Sequence, residues 1–182
     1  MSVRGEMVDI IARCRDMIAD PDGEQFDDET IQTVLDEHAR TDLMWAMMKP
    51  VPFIEPGGLV TFRTFVSPLV PVAKTASLYD ATYSQITPVA SDYMRGIFSF
   101  AQDKPEPMRP VMIVADAYDI NLACATLCRI WASRVKSDVS FKDPNFSLSM
   151  KEQYDHLIEL ANAFLSKSPP TTIHMRRGDT VP

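Results

Sequence analysis

The sequence predicts a mainly α-helical protein: a bundle of about four helices, with a small β insertion between the second and third helices and an extended C-terminal tail. Two observations carry this prediction. Apolar residues recur at helical spacing in the first fifty residues and again beyond residue 118. Between them the chain is rich in β-branched and aromatic residues, and most of the fourteen prolines lie there, which indicates short strands in an irregular centre.

The first fifty residues read as a helical hairpin. Apolar side chains form one helical face over Val3–Ala19, and Asp20–Gly23 then turns the chain. Asp27 or Asp28 can cap a second helix, because a carboxylate at this position accepts the free amides of the first turn. We expect this second helix to run past Asp42, through Met44, Trp45 and Met48, and to end before Pro50.

Residues 51–117 have a different character. The stretch LVTFRTFV, Leu59–Val66, mixes β-branched and aromatic residues as strands do. Ile97–Phe100 and Val111–Ala115 are further strand candidates. Because each proline removes a ladder donor, the strands must be short or peripheral. We interpret this region as a β-rich insertion with a projecting, proline-stiffened loop at Gln102–Pro110.

Two further helices are predicted after the insertion. Tyr118–Ser137 has an apolar stripe and Asp119 as a cap, and Ser149–Lys167 begins with the Ser-x-x-Glu spacing of a capping box. The chain thus divides into 1–50, 51–117 and 118–168, which together form one compact domain, and a tail, 169–182. The tail has no periodicity, so we expect it to be extended and to order only on a partner.

The composition restricts the function. The net charge of -7 and the pI of about 4.9 argue against a nucleic-acid binder that relies on a broad basic face. Three cysteines in a chain of this length fit a reducing compartment, and charged residues interrupt any apolar N-terminal run, so we expect synthesis in the cytosol. No stretch approaches the length of a membrane span.

No catalytic or metal-binding motif is legible, and we expect no cofactor and no enzymatic activity. There is no glycine-rich phosphate loop, nucleophile elbow or Cys-x-x-Cys pair. Cys124 and Cys128 share a helix face but lack a second ligand pair, which favours simple packing over zinc binding. His38 is expected to be a packed, hydrogen-bonded histidine, and the acidic run Asp20–Glu29 to be a turn and a helix cap rather than a calcium loop.

The methionines leave one alternative open. Met44, Met47 and Met48 lie beside Trp45 and could form an adaptable binding surface, because methionine side chains repack easily around different partners. The competing interpretation is a helix end packed on the β insertion.

The C-terminal half carries a longer pattern, over roughly residues 78–168. A strand ends in a glycine, Gly96, which is followed by the aromatic residues Phe98 and Phe100, and an alanine-rich helix opens with Tyr118 and Asp119. An acidic linker with Phe141 and Phe146 follows, and then a Ser-x-Ser start to the last helix. This pattern resembles the head-tail connector, or adaptor, proteins of tailed bacteriophages, the family that includes the lambdoid-type connector rings. The linker departs from the family pattern, with Pro144–Phe146 where a Gly-Gln is common.

The resemblance implies a structural virion protein at the neck, between head and tail, made in the host cytoplasm. It implies a homo-oligomeric ring, expected to be a dodecamer, which binds the portal protein and a tail or stopper protein while DNA passes through the lumen without specific binding. No membrane is involved. The tail supplies the candidate portal contacts: Thr171, Thr172, Ile173, His174, Met175, Arg176 and Arg177. Candidate subunit or neck-partner contacts are Lys104, Pro105, Pro107, Met108, Phe141 and Phe146.

Three rival functions remain open at this point. A neck stopper or tail-completion protein is the nearest neighbour of the adaptor. A cytosolic helical interaction module would use the cluster around Trp45. An enzyme with a dispersed site would have to use residues such as His38, Glu55 or Asp92, which belong to no legible catalytic set.

Overall fold

The computed structural model describes residues 3–101, 110–139 and 144–168, with the side chains of 41–42, 137–139 and 144–149 outside that description. Four α-helices lie in these ranges: α1 Val8–Ile18, preceded by a 3-10 turn at Gly5–Met7, α2 Asp28–Glu37, α3 Ile120–Val139 and α4 Pro144–Lys167. Eight strands lie between α2 and α3 in the same ranges: β1 Ala39–Met47, β2 Lys49–Ile54, β3 Val60–Val66, β4 Ser77–Tyr79, β5 Gln85–Ile86, β6 Ala90–Asp92, β7 Ile97–Ser99 and β8 Met112–Tyr118.

The strands form two four-stranded antiparallel sheets, ordered β1-β8-β4-β5 and β2-β3-β7-β6. Strands β1 and β2 follow each other in the chain, with the buried Met48 between them, and each lies at the edge of a different sheet. With 41% of the structure helical and 27% in strands, the protein is of the α/β class. The predicted mainly α bundle is therefore wrong, because the strands form two four-stranded sheets rather than a small insertion.

The main error lies in the second helix, which was expected to continue to Met48. Helix α2 ends at Glu37, and Ala39–Met47 instead pairs with β8, from Ala39 opposite Tyr118 to Met47 opposite Met112. The helix-forming alanine, leucine and methionines of this stretch are overridden by a strand more than sixty residues away, because propensity is a weak preference beside tertiary pairing.

The four described helices share one core, and the predicted apolar faces of the first and third helices are confirmed. Buried residues of α1 and α3 pack together, including Ile11, Cys14 and Leu127, and Phe164 of α4 closes the cluster. The predicted caps are present: Asp27 Oδ1 accepts from the Thr30 amide at 2.7 Å. Asp119 Oδ1 likewise accepts from the amide of the third residue in α3, Leu122, at 3.0 Å.

The start of α4 differs from the prediction. The helix begins at Pro144, a residue suited to a first helical position because its missing amide has no partner there. Ser149 therefore lies inside the helix, and the predicted capping box with Glu152 is wrong. The aromatic connector expected up to residue 148 shortens to residues 140–143, which lie outside the described ranges.

The sheets enclose a second core. Leu43, Phe98 and Ile113 are almost fully buried in it. Phe65 and Phe100 meet edge to face, with ring centroids 5.8 Å apart. The predicted strands at Leu59–Val66, Ile97–Phe100 and Val111–Ala115 are confirmed as β3, β7 and β8 to within three residues at each end.

Candidate interaction surface

The hairpin of β2 and β3 exposes three large apolar side chains near its tip. Phe53 is 62% exposed, Ile54 69% and Leu59 63%. The tip itself is an ordered turn, because the Glu55 amide donates to the Leu59 carbonyl at 2.8 Å and the Gly58 amide donates to the Glu55 carbonyl at 2.8 Å. Apolar residues gathered at one exposed element, rather than scattered singly, are typical of a surface that another molecule covers.

Strand β2 is poorly suited to strand addition, although it lies at a sheet edge. Pro50 and Pro52 have no amide proton, so two donors are missing from a six-residue strand. A partner of the hairpin would therefore recognise its apolar side chains rather than its backbone.

A second exposed apolar patch surrounds Trp45 on β1. Its indole packs against Tyr79 and Tyr83, with ring centroids 4.7 Å and 5.2 Å away, and remains 43% exposed. Met44 and Met47 are each 67% exposed, whereas Met48 is buried in the sheet core. The proposed methionine surface thus lies on a bulged strand, where Trp45 has a positive φ of 58°, and not at a helix end.

A cavity of about 250 Å³ lies where the helices meet the sheet that contains β1. Four parts of the chain line it: α1, the start of β1, the segment that contains the cis Val70–Pro71 bond, and the junction of β8 and α3. Its walls are mainly apolar, and Val70 at the surface is 49% exposed. The lining residues are Arg13, Met17, Arg40, Leu69, Val70, Pro71, Ala117, Tyr118, Asp119, Ile120 and Asn121.

The two arginines of this cavity have different roles. Arg40 Nη2 donates to Asp119 Oδ2 at 2.9 Å, and the Ser168 hydroxyl donates to the same oxygen, so this buried carboxylate joins β1, α3 and the end of α4. Arg13, by contrast, forms no hydrogen bond or ion pair with any residue in the described ranges. As far as the described residues show, Arg13 is therefore the cation of this cavity that is available to an incoming anion.

Most of the contacts predicted from the sequence lie outside the described residues. This holds for Thr171–Arg177, for Lys104, Pro105, Pro107 and Met108, and for Phe141. Phe146 lies within α4, and its side chain is not described. The portal and neck contacts therefore stay predictions.

The residues weighed as catalytic each have a structural partner. His38 Nε2 lies 2.9 Å from the Thr126 hydroxyl, which confirms the packed, hydrogen-bonded histidine. Asp92 accepts from the Arg95 amide at 3.0 Å, and Glu55 pairs with Arg63 at 3.4 Å. Within the described residues every buried side-chain nitrogen or oxygen has a hydrogen-bond partner, and no His, Cys, Asp and Glu residues cluster as a metal site would require.

The cysteines lie in the helical core, as the packing prediction requires. Cys14, Cys124 and Cys128 are fully buried, and the Cys14 and Cys124 sulfurs are 3.2 Å apart. The hydrogen bond to Cys14, together with burial, strongly raises the pKa of Cys124. Burial, and to a smaller degree Cys14, raises the pKa of Cys128 to about 11. Both are therefore inert thiols at neutral pH, because the thiolate is the reactive form.

The acidic run at Asp20–Glu29 is a turn and a cap, as predicted. The buried Asp20 carboxylate accepts from the amides of Gln25 and Phe26, and Arg15 pairs with it at 3.3 Å. Arg15 also binds Asp28 across the turn.

Sequence reasoning missed both the hairpin tip and the cavity. The hairpin had a signal, because FIEPGGLV places a Pro-Gly-Gly turn between two apolar pairs. That the apolar pairs face solvent is visible only in the tertiary structure. The cavity had no local signal, since its walls come from segments more than a hundred residues apart.

The described helices include none that is both long and apolar enough to cross a lipid bilayer. Comparisons of the chain with protein-family models, with curated proteins and with solved structures found no match. The likeness to connector proteins thus stands on the residues named in the sequence analysis.

Proposed function

We propose that this protein is a structural subunit of a tailed-bacteriophage neck, an adaptor that assembles as a ring on the portal and links the DNA-filled head to the tail. The observation that carries the proposal is the apolar hairpin tip, with Phe53, Ile54 and Leu59 each more than 60% exposed on an ordered turn. Such a tip stabilises no core of its own, so its value lies in contacts with another protein chain.

The positions that carry the connector pattern support the proposal by their structural roles. Gly96, with a φ of +63°, opens β7, and Phe98 and Phe100 anchor the sheet core. Tyr118 ends β8 in the other sheet, and Asp119 follows it directly at the start of α3. The pattern therefore describes a frame that fixes the sheets against the helices, which is what a subunit needs if identical copies are to meet at a constant angle.

The charge of the chain also fits a conduit. A net charge of -7 repels the phosphate backbone, so DNA could slide past such subunits without being held. Twelve copies in a ring would also multiply weak contacts with the portal and with the tail or stopper protein.

Truncation at residue 170 tests the proposal. In co-sedimentation with the portal ring encoded in the same genome, the full chain should bind, and the chain without Thr171–Pro182 should not, because the tail is the proposed portal contact. The helical circular dichroism signal should be the same for both chains. Equal binding by the truncated chain would remove the tail from the portal contact.

The patch around Trp45 favours a second candidate, a module that binds one partner protein through this face. Exposed methionines beside an exposed tryptophan suit such a surface. This candidate predicts a small complex of fixed stoichiometry that is lost in Trp45→Ala, and no incorporation into virus particles.

A further inference from the structure

We infer that the hairpin tip of one subunit seats in the cavity beside Val70 of the next subunit, with Glu55 of the tip paired with Arg13 of the cavity. This inference rests on the proposed ring and names the contact that would close it. Both halves of the contact are present on every copy, and within one copy they stay apart: no residue of the β2–β3 hairpin lines the cavity.

The first support is the match of size and polarity. A cavity of about 150 Å³ already accepts a benzene molecule, so a cavity of about 250 Å³ can hold the phenyl ring of Phe53. Its walls offer Met17, Leu69 and Ile120 as apolar partners. Burying the tip would remove from water the most exposed apolar side chains of the hairpin, which is the main favourable term in such an association.

The second support is complementary charge. Glu55 follows Phe53 and Ile54 directly, so a seated tip brings its carboxylate to the rim of the cavity. The carboxylate of Glu55 pairs with Arg63 Nη2 at 3.4 Å, and the Arg63 side chain is half exposed. Exposed ion pairs of this kind contribute little to stability. Arg13 has no hydrogen-bond or ion-pair partner among the described residues, so binding Glu55 would replace only the exposed Glu55–Arg63 pair.

Two other depressions fit the tip less well. One, of about 550 Å³, has one cation in its lining, Arg15, which already pairs with Asp20 and Asp28. Its four carboxylates, at Asp22, Asp27, Asp28 and Glu29, would repel Glu55. Another, of about 160 Å³ between Leu78 and Tyr93, has no basic residue in its lining. The cavity with Arg13 combines apolar walls with a cation.

In a ring the tip of each copy enters the cavity of the next, and such a heterologous contact propagates around a closed ring or along a filament. A symmetric dimer would instead require both tips to enter both cavities of one pair at the same time. The contact would thus close the proposed ring without strand addition at β2, which the prolines of that strand disfavour.

Disulfide trapping between two different full-length variants tests the contact. One carries Ile54→Cys at the tip and the other Val70→Cys at the cavity, and the three native cysteines are buried and should not react. Mixed at high concentration with the portal ring present and mildly oxidised, they should give mainly the dimer that contains one of each. Pairing Ile54→Cys with Val89→Cys is the control, because Val89 lies elsewhere and is more exposed than Val70, at 67% against 49%.

A charge exchange gives an independent readout. Glu55→Lys and Arg13→Glu should each weaken self-association by about tenfold, as loss of an interfacial ion pair typically does, and the double variant should recover it. Arg129→Glu is the matched control, because Arg129 is also exposed and forms no hydrogen bond or ion pair with a described residue. Thermal unfolding of each variant should match the unchanged chain, because neither Glu55 nor Arg13 is buried.

The outcomes separate this contact from the proposed function. A mixed dimer together with recovery in the double variant establishes the contact. A ring on the portal without the mixed dimer overturns the contact and leaves the adaptor in place. If neither the mixed dimer nor the ring forms, both the contact and the adaptor proposal are overturned. A mixed dimer without portal binding keeps the contact but rejects the adaptor.

Discussion

Gly96 shows how a single residue of the connector pattern acts physically. It turns the chain from β6 into β7 with a φ of +63°, a region in which side chains are rarely found. A Cβ at this position would lie 2.6 Å from Val70 Cγ1 and 2.8 Å from Ser67 Cβ. The sequence pattern included the glycine, but only the fold explains why no other residue fits.

We expect Gly96→Ala to lower the free energy of unfolding by about 2–4 kcal/mol, through backbone strain and overpacking. Gly57→Ala is the control, because a Cβ there would meet no atom within 4 Å, and it should change stability by less than about 1 kcal/mol. Urea denaturation followed by circular dichroism measures both. Equal stability of the two variants would contradict the role given to Gly96.

Cys128 gives the protein a predictable sensitivity to alkali. Its pKa in the folded state, about 11, lies above its ordinary value of 9.0, so the fold favours the neutral thiol. The stability that this residue contributes is complete below pH 9 and is lost as the pH rises towards 11.

Comparison of the unchanged chain with Cys128→Ala measures this contribution. Between pH 8 and pH 11 the unchanged chain should lose more stability than Cys128→Ala, because only the unchanged chain has an ionisable thiol at residue 128. A parallel decline of the two chains would show that the thiol does not contribute. The same buried thiols should fail to react with a thiol reagent at pH 8 until the protein is unfolded.

At the scale of elements, the sequence was informative wherever structure is local. The apolar periodicity of α1 and α3 and the caps at Asp27 and Asp119 could be read directly, because each depends on neighbours within one or two turns. Strand β1 could not be read, since its apolar residues suit a helix equally well and β8 decides the outcome. For the same reason, the fold class was predicted as a helical bundle.

Two phenylalanines in the sheet that contains β2 and β3 differ in exposure, because one lies in the core and the other at the surface. Phe98 is 1% exposed and packs edge to face on Tyr93 at 5.6 Å, whereas Phe53 is 62% exposed. Phe98→Ala should reduce the free energy of unfolding by about 3–5 kcal/mol. Phe53→Ala should change it by less than about 0.5 kcal/mol and should weaken self-association instead.

Thermal unfolding and sedimentation velocity of the same two variants check this division. A strongly destabilised Phe53→Ala would mean that the tip belongs to the core of its own subunit. In that case the tip would not be available to a neighbour, and the proposed contact with the cavity would fall as well.

At the scale of the whole molecule, the chain joins a helical core and a two-sheet core through a few shared groups. Asp119 is the clearest of them, because its carboxylate caps α3 and binds both Arg40 and Ser168. A subunit built in this way can hold an apolar hairpin and a cavity at fixed positions. The sequence could suggest a ring through its likeness to connector proteins, but the surfaces that could close a ring depend on tertiary structure.

Electron microscopy of the portal ring, with and without the full chain at saturating concentration, tests the central claim most directly. The adaptor proposal predicts an added ring of density below the portal, formed by copies of the chain arranged side by side around the portal axis. An intact portal without added density would contradict it and would favour a stopper or an interaction module outside the virion.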